Sequence, residues 1–216
     1  MAEPIPEASS ARITASDVIP MFPTLVWKLQ LEREFHEAVD AKILIAIATM
    51  RRGELGPGQG WQSEHTLHER EELRELVASI RQAARSVLRF LRIGYEAVEI
   101  TGCWANVLAT GAAHKAHSHP NNFLSGAYYV RTHPGGDTIN FHDPRAQASV
   151  IRPPVLELTS ENTDQVVVKV QNGTLLLFPA YLPHSVDANT SEAERISLSF
   201  NLMFSSFTET LSKPLW

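Results

Sequence analysis

The first part of the chain carries apolar residues at helical spacing. Between about residues 32 and 52 they recur three or four positions apart and stop at Gly53, which predicts a first helix over 32–52. The same spacing over 69–92, closed by Gly94, predicts a second. The repeating positions are Phe35, Val39, Ile43, Ile47 and Met50 in the first helix, and Leu73, Leu76, Ile80, Ala84, Val87 and Leu91 in the second.

Beyond Gly94 the pattern changes to extended apolar runs separated by Pro, Gly and Asn. These runs predict strands at 97–108, 123–131, 138–142, 165–170, 174–178 and 195–204, after a short extended stretch at 24–29. Long strands without helices between them favour an antiparallel sandwich or barrel. We therefore predict a mainly β fold with flanking helices (α+β) in one domain, 1–216. Its parts are a loose leader (1–20), mainly helical support (21–94) and a β core (95–205).

The last predicted strand has two unlike faces. Its polar face consists of Arg195, Ser197, Ser199 and Asn201, and its apolar face of Ile196, Leu198, Phe200 and Leu202. One arginine among small hydrogen-bonding groups suits a ligand-lined interior, whereas a solvated edge strand is the alternative. Tyr129 shares a strand face with two small residues, and Asn106 shares a strand face with Trp104. Tyr129 and Asn106 could therefore also point into the interior.

Composition narrows the class of protein. The net charge is -5 and the basic residues are scattered, so nucleic acid is not an expected partner. The single cysteine, Cys103, excludes a disulfide framework and a thiolate metal site. Charges interrupt every apolar run, and the acidic, Pro-rich start has no signal-peptide pattern. We expect a cytoplasmic protein without a membrane partner; a homodimer is left open.

Three histidines are the strongest chemical signal. His117 and His119 are spaced to project from one face of an extended strand, and His184 follows on a later one. Imidazole binds iron, zinc, copper or nickel, and three ligands without cysteine leave metal positions open for chemistry. Arg195 follows His184 by eleven residues and suggests that an anionic co-substrate binds beside the metal.

These motifs resemble those of the Fe(II)/2-oxoglutarate-dependent oxygenases, in particular a bacterial and phage group. His117 and His119 stand at the family's His-x-Asp/Glu motif, His184 at its distal histidine, and Arg195-Ile196-Ser197 at its Arg-x-Ser signature. Further matching segments are 22–24, 60–63, 117–121, 124–129, 135–141, 143–145, 173–179 and 195–201. The resemblance covers roughly 20–205 and implies a double-stranded β-helix (jelly roll), which the two predicted helices would brace.

The resemblance also implies the roles of individual residues. His117, His119 and His184 would bind Fe(II), and Arg195 would bind the distal carboxylate of 2-oxoglutarate. Ser197, Tyr129 and Asn106 would surround this co-substrate, although Asn106 also fits ordinary strand packing. The implied reaction uses O2 and couples oxidative decarboxylation of 2-oxoglutarate to C–H oxidation, as in a hydroxylase. The sequence does not identify the primary substrate.

His119 departs from the family pattern because it replaces a carboxylate, and an imidazole does not cancel a charge of Fe(II). Two other functions therefore stay open: a three-histidine cupin-type dioxygenase that does not use 2-oxoglutarate, and a non-catalytic metal-binding jelly roll. His142 and Asp143 form an alternative ligand pair, and His114 is expected to be a surface neighbour or a substrate contact.

Overall fold

The helices lie in the first half of the molecule. The computed structural model describes residues 15–94, 97–145, 150–151 and 153–205, so most of the predicted leader falls outside the described residues. Helix α1 spans Arg33–Met50 and helix α2 spans Arg74–Phe90. Two short 3-10 turns precede α2, which therefore begins at Arg74 and not at 69. Neither helix, nor any other in the described ranges, is long and apolar enough to cross a membrane.

Ten strands form two antiparallel sheets in the described part of the chain. The larger sheet has six strands in the order β1-β8-β5-β10-β3-β2, and the smaller has four in the order β4-β9-β6-β7. The predicted mainly antiparallel β fold is thus confirmed. The strands are β1 (Trp27–Gln30), β2 (Gly60–Gln62), β3 (Val98–Leu108), β4 (His114–His117), β5 (Leu124–Arg131), β6 (Thr138–His142), β7 (Gln165–Lys169), β8 (Thr174–Pro179), β9 (His184–Val186) and β10 (Arg195–Phe204).

The apolar runs do not predict the short strands β2, β4 and β9, whereas the histidine spacing predicts a strand at 117–119 and a later one at His184. Strand β4 ends at His117, so the expectation that His117 and His119 lie on one strand is wrong. His119 is followed by Pro120, whose ring removes a main-chain donor and restricts the residue before it. A separate strand that begins at His184 pairs with β4, with His117 opposite His184.

The main core lies between the helices and one face of the larger sheet. Helix residues such as Ile43 and Ile80 pack there with Leu198 and Phe200 of β10, and all four are at most 1% exposed. The other face of β10 turns away from this core, and Arg195, Ser197 and Ser199 line a cavity between the sheets. The predicted division of β10 into an apolar core face and a polar interior face is therefore confirmed.

A second apolar cluster fills the space between the two sheets. It contains Ala127 and Tyr129 from β5, Ile139 and Phe141 from β6, and Phe178 from β8. Tyr129 belongs to this cluster whereas the adjacent Tyr128 belongs to the main core, because successive side chains of a strand point to opposite faces. The interior cluster supports the cavity into which the polar face of β10 projects.

Candidate active site

Three histidine side chains meet at one end of the cavity. The ligand atoms of His117, His119 and His184 all lie within 4.8 Å of one another. His117 is exposed, His119 half-buried and His184 buried, so the cluster is accessible from the His117 side. It lies where β4 ends and β9 begins, and paired strand ends position two of the three rings. Three neighbouring imidazoles form a donor set suited to a transition metal.

Main-chain carbonyls orient two of these rings. Nδ1 of His117 lies 2.8 Å from the carbonyl oxygen of Lys115, and Nδ1 of His184 lies 3.0 Å from that of Leu182. A carbonyl oxygen only accepts, so each Nδ1 carries the proton and donates it. The lone pair of each ring is then on Nε2, which is the usual arrangement of a metal-binding histidine with an outer hydrogen bond.

His119 is held differently, outside the strands. Its main-chain N–H donates to the carbonyl of Ala180 at 2.9 Å, and its ring centroid lies 5.8 Å from that of Trp104. Its Nδ1 is 3.4 Å from the carboxamide nitrogen of Asn201. Trp104 is in turn stacked on the exposed His65, with ring centroids 4.4 Å apart.

Burial keeps two of the rings neutral. It lowers the pKa of His119 to about 4, with a further contribution from the neighbouring His117. Burial likewise lowers the pKa of His184 to about 4, against the opposing effect of its hydrogen bond to the Leu182 carbonyl. Both rings are therefore unprotonated at neutral pH, which is the form that binds metal.

A buried arginine lies deeper in the same cavity. Arg195 is 3% exposed, and its Nε donates to the carbonyl oxygen of Gly136 at 2.9 Å. Its guanidinium carbon lies 5.2 Å from the ring centroid of Tyr129. The hydroxyl of Tyr129 is buried and has no hydrogen-bond partner among the described residues, and burial raises the pKa of this hydroxyl, which keeps it a neutral donor.

These features fit a co-substrate that carries a carboxylate. No aspartate or glutamate is among the described residues that line the cavity, so the charge of Arg195 has no counter-ion there. A buried cation without an anion is costly, and an arginine fork matches a carboxylate. A carboxylate beside Arg195 would also accept a hydrogen bond from the orphaned Tyr129 hydroxyl.

The remaining predicted co-substrate residues line the same cavity. Ser197 is buried, and Asn106 accepts a hydrogen bond from Gln62 at 2.7 Å and donates one to Ser199 at 2.9 Å. Asn106 therefore combines an ordinary packing role with a place in the cavity wall. Its two protein partners hold the carboxamide in one orientation.

The other candidate ligands lie in different surroundings. His114 lines the cavity, with its ring centroid 6.4 Å from that of His117. Nε2 of His142 is hydrogen-bonded to Ser185 Oγ at 2.9 Å, and Asp143 forms an ion pair with Arg145 at 2.7 Å. Within the described ranges, neither His142 nor Asp143 belongs to a cluster of three potential ligands.

Sequence reasoning missed the groups that hold the histidines. The carbonyls of Lys115 and Leu182 are main-chain atoms and leave no signal in the residue pattern. The contact between Asn201 and His119 joins residues that are distant in the chain. Asn201 could be noticed only as part of the polar face of β10.

The two-sheet fold, with imidazoles at one end and a buried arginine inside, defines a jelly-roll protein equipped for metal chemistry on an anionic co-substrate. Residues 102–201 match the family model described as "Putative 2OG-Fe(II) oxygenase". Over this segment, which is just under half of the chain, the protein is therefore similar to the 2OG-Fe(II) oxygenases. The histidine cluster and the buried Arg195 fit Fe(II) and 2-oxoglutarate, which the description of this family names. None of the curated proteins matches the sequence.

Solved structures share the fold at low sequence identity. The chain is similar to the α-ketoglutarate-dependent carbocyclase SnoK of nogalamycin biosynthesis (TM-score 0.62, 17% identity, covering 84% of this chain and 80% of that one). It is also similar to a Pseudomonas putida prolyl-4-hydroxylase (TM-score 0.59, 17% identity, covering 84% of this chain and 93% of that one). A third similar structure is HygX from Streptomyces hygroscopicus, solved with nickel and 2-oxoglutarate (TM-score 0.56, 12% identity, covering 84% of this chain and 83% of that one). These likenesses show the jelly-roll fold.

Proposed function

We propose that His117, His119 and His184 bind Fe(II) and that Arg195 binds the distal carboxylate of 2-oxoglutarate. The observation that carries the proposal is that the imidazole cluster and the buried arginine line one cavity. A family assignment alone would not select these residues. Ser197, Tyr129 and Asn106 complete the co-substrate site in this proposal.

Each residue has a task that its surroundings support. Arg195 neutralises and orients the carboxylate, while the Tyr129 hydroxyl donates a hydrogen bond to it. Phe178 and Phe141 pack near His184, with ring centroids 4.8 and 6.3 Å from the imidazole, and keep water from its buried side. When bound, Fe(II) supplies the O2-dependent oxidation chemistry, which includes decarboxylation of 2-oxoglutarate to succinate.

We propose that the coupled reaction is hydroxylation of a C–H bond in the primary substrate. The exposed His117 marks the side from which this substrate approaches. His114 lines the cavity on the same strand and is placed to contact it. The jelly roll does not select a substrate, because many unlike molecules are oxidised on this scaffold.

The larger organisation of the chain is also a proposal. We propose that the chain forms one domain in which α1 and α2 brace the sheet that carries β10. The shared core between both helices and this sheet supports it. We further propose a cytoplasmic location, which agrees with the single, buried, unpaired Cys103.

The test is formation of succinate from 2-oxoglutarate by the purified protein with and without Fe(II). We expect Fe(II)-dependent turnover, and we expect Arg195→Ala to weaken 2-oxoglutarate binding by about two orders of magnitude, because it removes one partner of a buried charge pair. Arg33→Ala, which removes an exposed arginine paired with Glu37, is the matched control. Unchanged turnover in Arg195→Ala would refute the co-substrate site.

The same experiment separates the two other functions. An iron-loaded protein that is indifferent to 2-oxoglutarate would instead be a three-histidine cupin-type dioxygenase. A protein that binds metal but consumes neither O2 nor 2-oxoglutarate would be a non-catalytic metal-binding jelly roll. The family match and the buried Arg195 favour the 2-oxoglutarate-dependent reaction over both.

A further inference from the structure

One of the three histidines does not have the outer hydrogen bond that orients the others. His117 and His184 each donate from Nδ1 to a main-chain carbonyl two residues earlier. The side-chain neighbour of Nδ1 in His119 is the carboxamide of Asn201 at 3.4 Å. His119 also lies outside β4, so strand pairing does not fix its ring.

Asn201 is well placed to hold this ring. It lies on β10 directly opposite Ser125 of β5, and Ser125 Oγ donates to Asn201 Oδ1 at 2.7 Å. Ser125 is only 1% exposed. The pairing of β10 with β3 shifts register immediately after Asn201, which gives this residue a local geometry that differs from the regular strand.

The orientation of the carboxamide decides which nitrogen of His119 is free. With the Asn201 nitrogen facing Nδ1, Nδ1 must accept and the ring proton is on Nε2, which then has no lone pair for a metal. A half-turn of the carboxamide brings its oxygen to Nδ1. Nδ1–H can then donate, and the Asn201 nitrogen can donate to Ser125 Oγ, because a hydroxyl both donates and accepts.

We propose that Asn201, held by Ser125, is a positioning residue that accepts a hydrogen bond from Nδ1 of His119 and turns Nε2 toward the metal. Asn201 thereby does for His119 what main-chain carbonyls do for His117 and His184. The inference rests on the proposed function, since it assumes that the three histidines bind metal. It adds a residue, Asn201, that does not bind the metal itself but selects the tautomer of His119. His119 is the proposed ligand that replaces the carboxylate of the family motif.

The first test is Co(II) binding by purified metal-free protein, followed by calorimetry and by the visible absorption of the bound ion. Asn201→Leu removes the acceptor at similar volume and should weaken Co(II) binding by about 10- to 100-fold, the usual loss for an outer partner of a ligating histidine. Asn201→Asp keeps an acceptor and should bind at least as tightly as the wild type.

Thr101→Val is the matched control, because it removes the nearby hydrogen bond from Thr101 to Asn122 without touching the imidazoles. It should bind Co(II) like the wild type. Unaltered affinity and an unaltered Co(II) spectrum in Asn201→Leu would overturn the inference while leaving the proposed function intact. A wild-type protein that binds no Co(II) would overturn both.

The second test does not depend on the stability of an Asn201 variant. Nitrogen-15 NMR of the histidine-labelled wild-type protein with Zn(II) reports which ring nitrogen carries the proton. We expect the proton of His119 on Nδ1, with its signal assigned by its loss in His119→Gln. A proton on Nε2 would overturn the inference even if Asn201→Leu fails to fold.

Discussion

At the scale of the residue, the unusual feature is a site built from neutral ligands and one cation. The described residues that line the cavity include imidazoles, hydroxyls, a carboxamide and Arg195, but no carboxylate. In the usual family motif a carboxylate would cancel one charge of Fe(II), and here His119 takes that place. In the proposed complex, the two negative charges of 2-oxoglutarate would therefore face the metal and Arg195 without a competing anion from the described cavity wall.

Neutral histidines make the metal-free protein sensitive to acid. The pKa values of His119 and His184 are about 4 in the folded protein, below the ordinary value of 6.5. Between pH 4 and pH 6.5 the unfolded chain binds more protons than the folded protein does. The free energy of unfolding therefore falls as the pH falls from about 6.5 to about 4. Urea unfolding of the metal-free protein at pH 7.5, 6 and 5 should show this decrease. His119→Gln should show a smaller one, and an equal decrease in that variant would contradict the assignment to His119.

At the scale of the element, β10 contributes one face to the hydrophobic core and the other to the cavity. One face completes the core beneath the helices, and the other supplies the polar wall of the cavity. The pairing with β3 and β5 on either side places β10 inside the larger sheet, so both faces are held in position. Changes to its neighbours should therefore alter stability in ways that can be measured separately from ligand binding.

Gly126 of β5 permits the close approach of Phe200. A Cβ atom at this position would lie 2.2 Å from Cζ of Phe200 and 2.4 Å from the carbonyl oxygen of Leu176. We expect Gly126→Ala to lower the free energy of unfolding by about 1–3 kcal/mol through overpacking. Gly94→Ala is the control, because nothing lies within 4 Å of its Cβ position. Equal urea midpoints for the two variants would argue against this packing.

A buried hydrogen bond joins α1 to β5. The hydroxyl of Tyr128 donates to Asp40 Oδ1 at 2.7 Å, and the other carboxylate oxygen is 3.1 Å from Nδ1 of His36. Tyr128→Phe leaves Oδ1 of the buried Asp40 without its donor and should cost about 1–3 kcal/mol in urea unfolding. Tyr181→Phe, at a residue that is 61% exposed, should change little. A similar small effect in both variants would show that this bond does not stabilise the helix.

The long elements could be predicted from the sequence because each carries its own periodicity. The observed β10, Arg195–Phe204, coincides with its predicted range, and its alternation assigned the two faces. Strands β4 and β9 have only four and three residues, too few for a period, and they form by pairing with each other and, for β9, also with β6. The order of the site residues was therefore visible in the sequence, whereas the strand ends and carbonyls that position the histidines were not.

At the scale of the whole molecule, two sheets enclose the cavity and helices cover the outer face of one of them. The apolar cluster between the sheets lies directly beside the polar lining. A ligand that enters the cavity would thus contact both sheets. We expect occupancy of the site to stabilise the entire fold against unfolding.

Metal and co-substrate should therefore stabilise the protein together. Ligands that bind only the folded state add about 2.7 kcal/mol at a hundredfold excess over Kd. We expect Mn(II) with 2-oxoglutarate to raise Tm more than Mn(II) alone, measured by calorimetry without O2 turnover. Arg195→Ala should keep the Mn(II) effect and lose the increment from 2-oxoglutarate. Loss of both effects in this variant would indicate that Arg195 supports the fold.

One strand also carries both the residue proposed to bind the co-substrate and the residue proposed to orient His119. Arg195 and Asn201 lie six residues apart on β10, a separation of about 20 Å along an extended chain. Arg195, which is proposed to bind the carboxylate, and Asn201, which is proposed to orient His119, are therefore held at a fixed separation by one strand. This strand pairs with a neighbouring strand on each side. A slip of one residue would turn the side chains of Arg195 and Asn201 to the helix side, so both proposed roles depend on the register of this one strand.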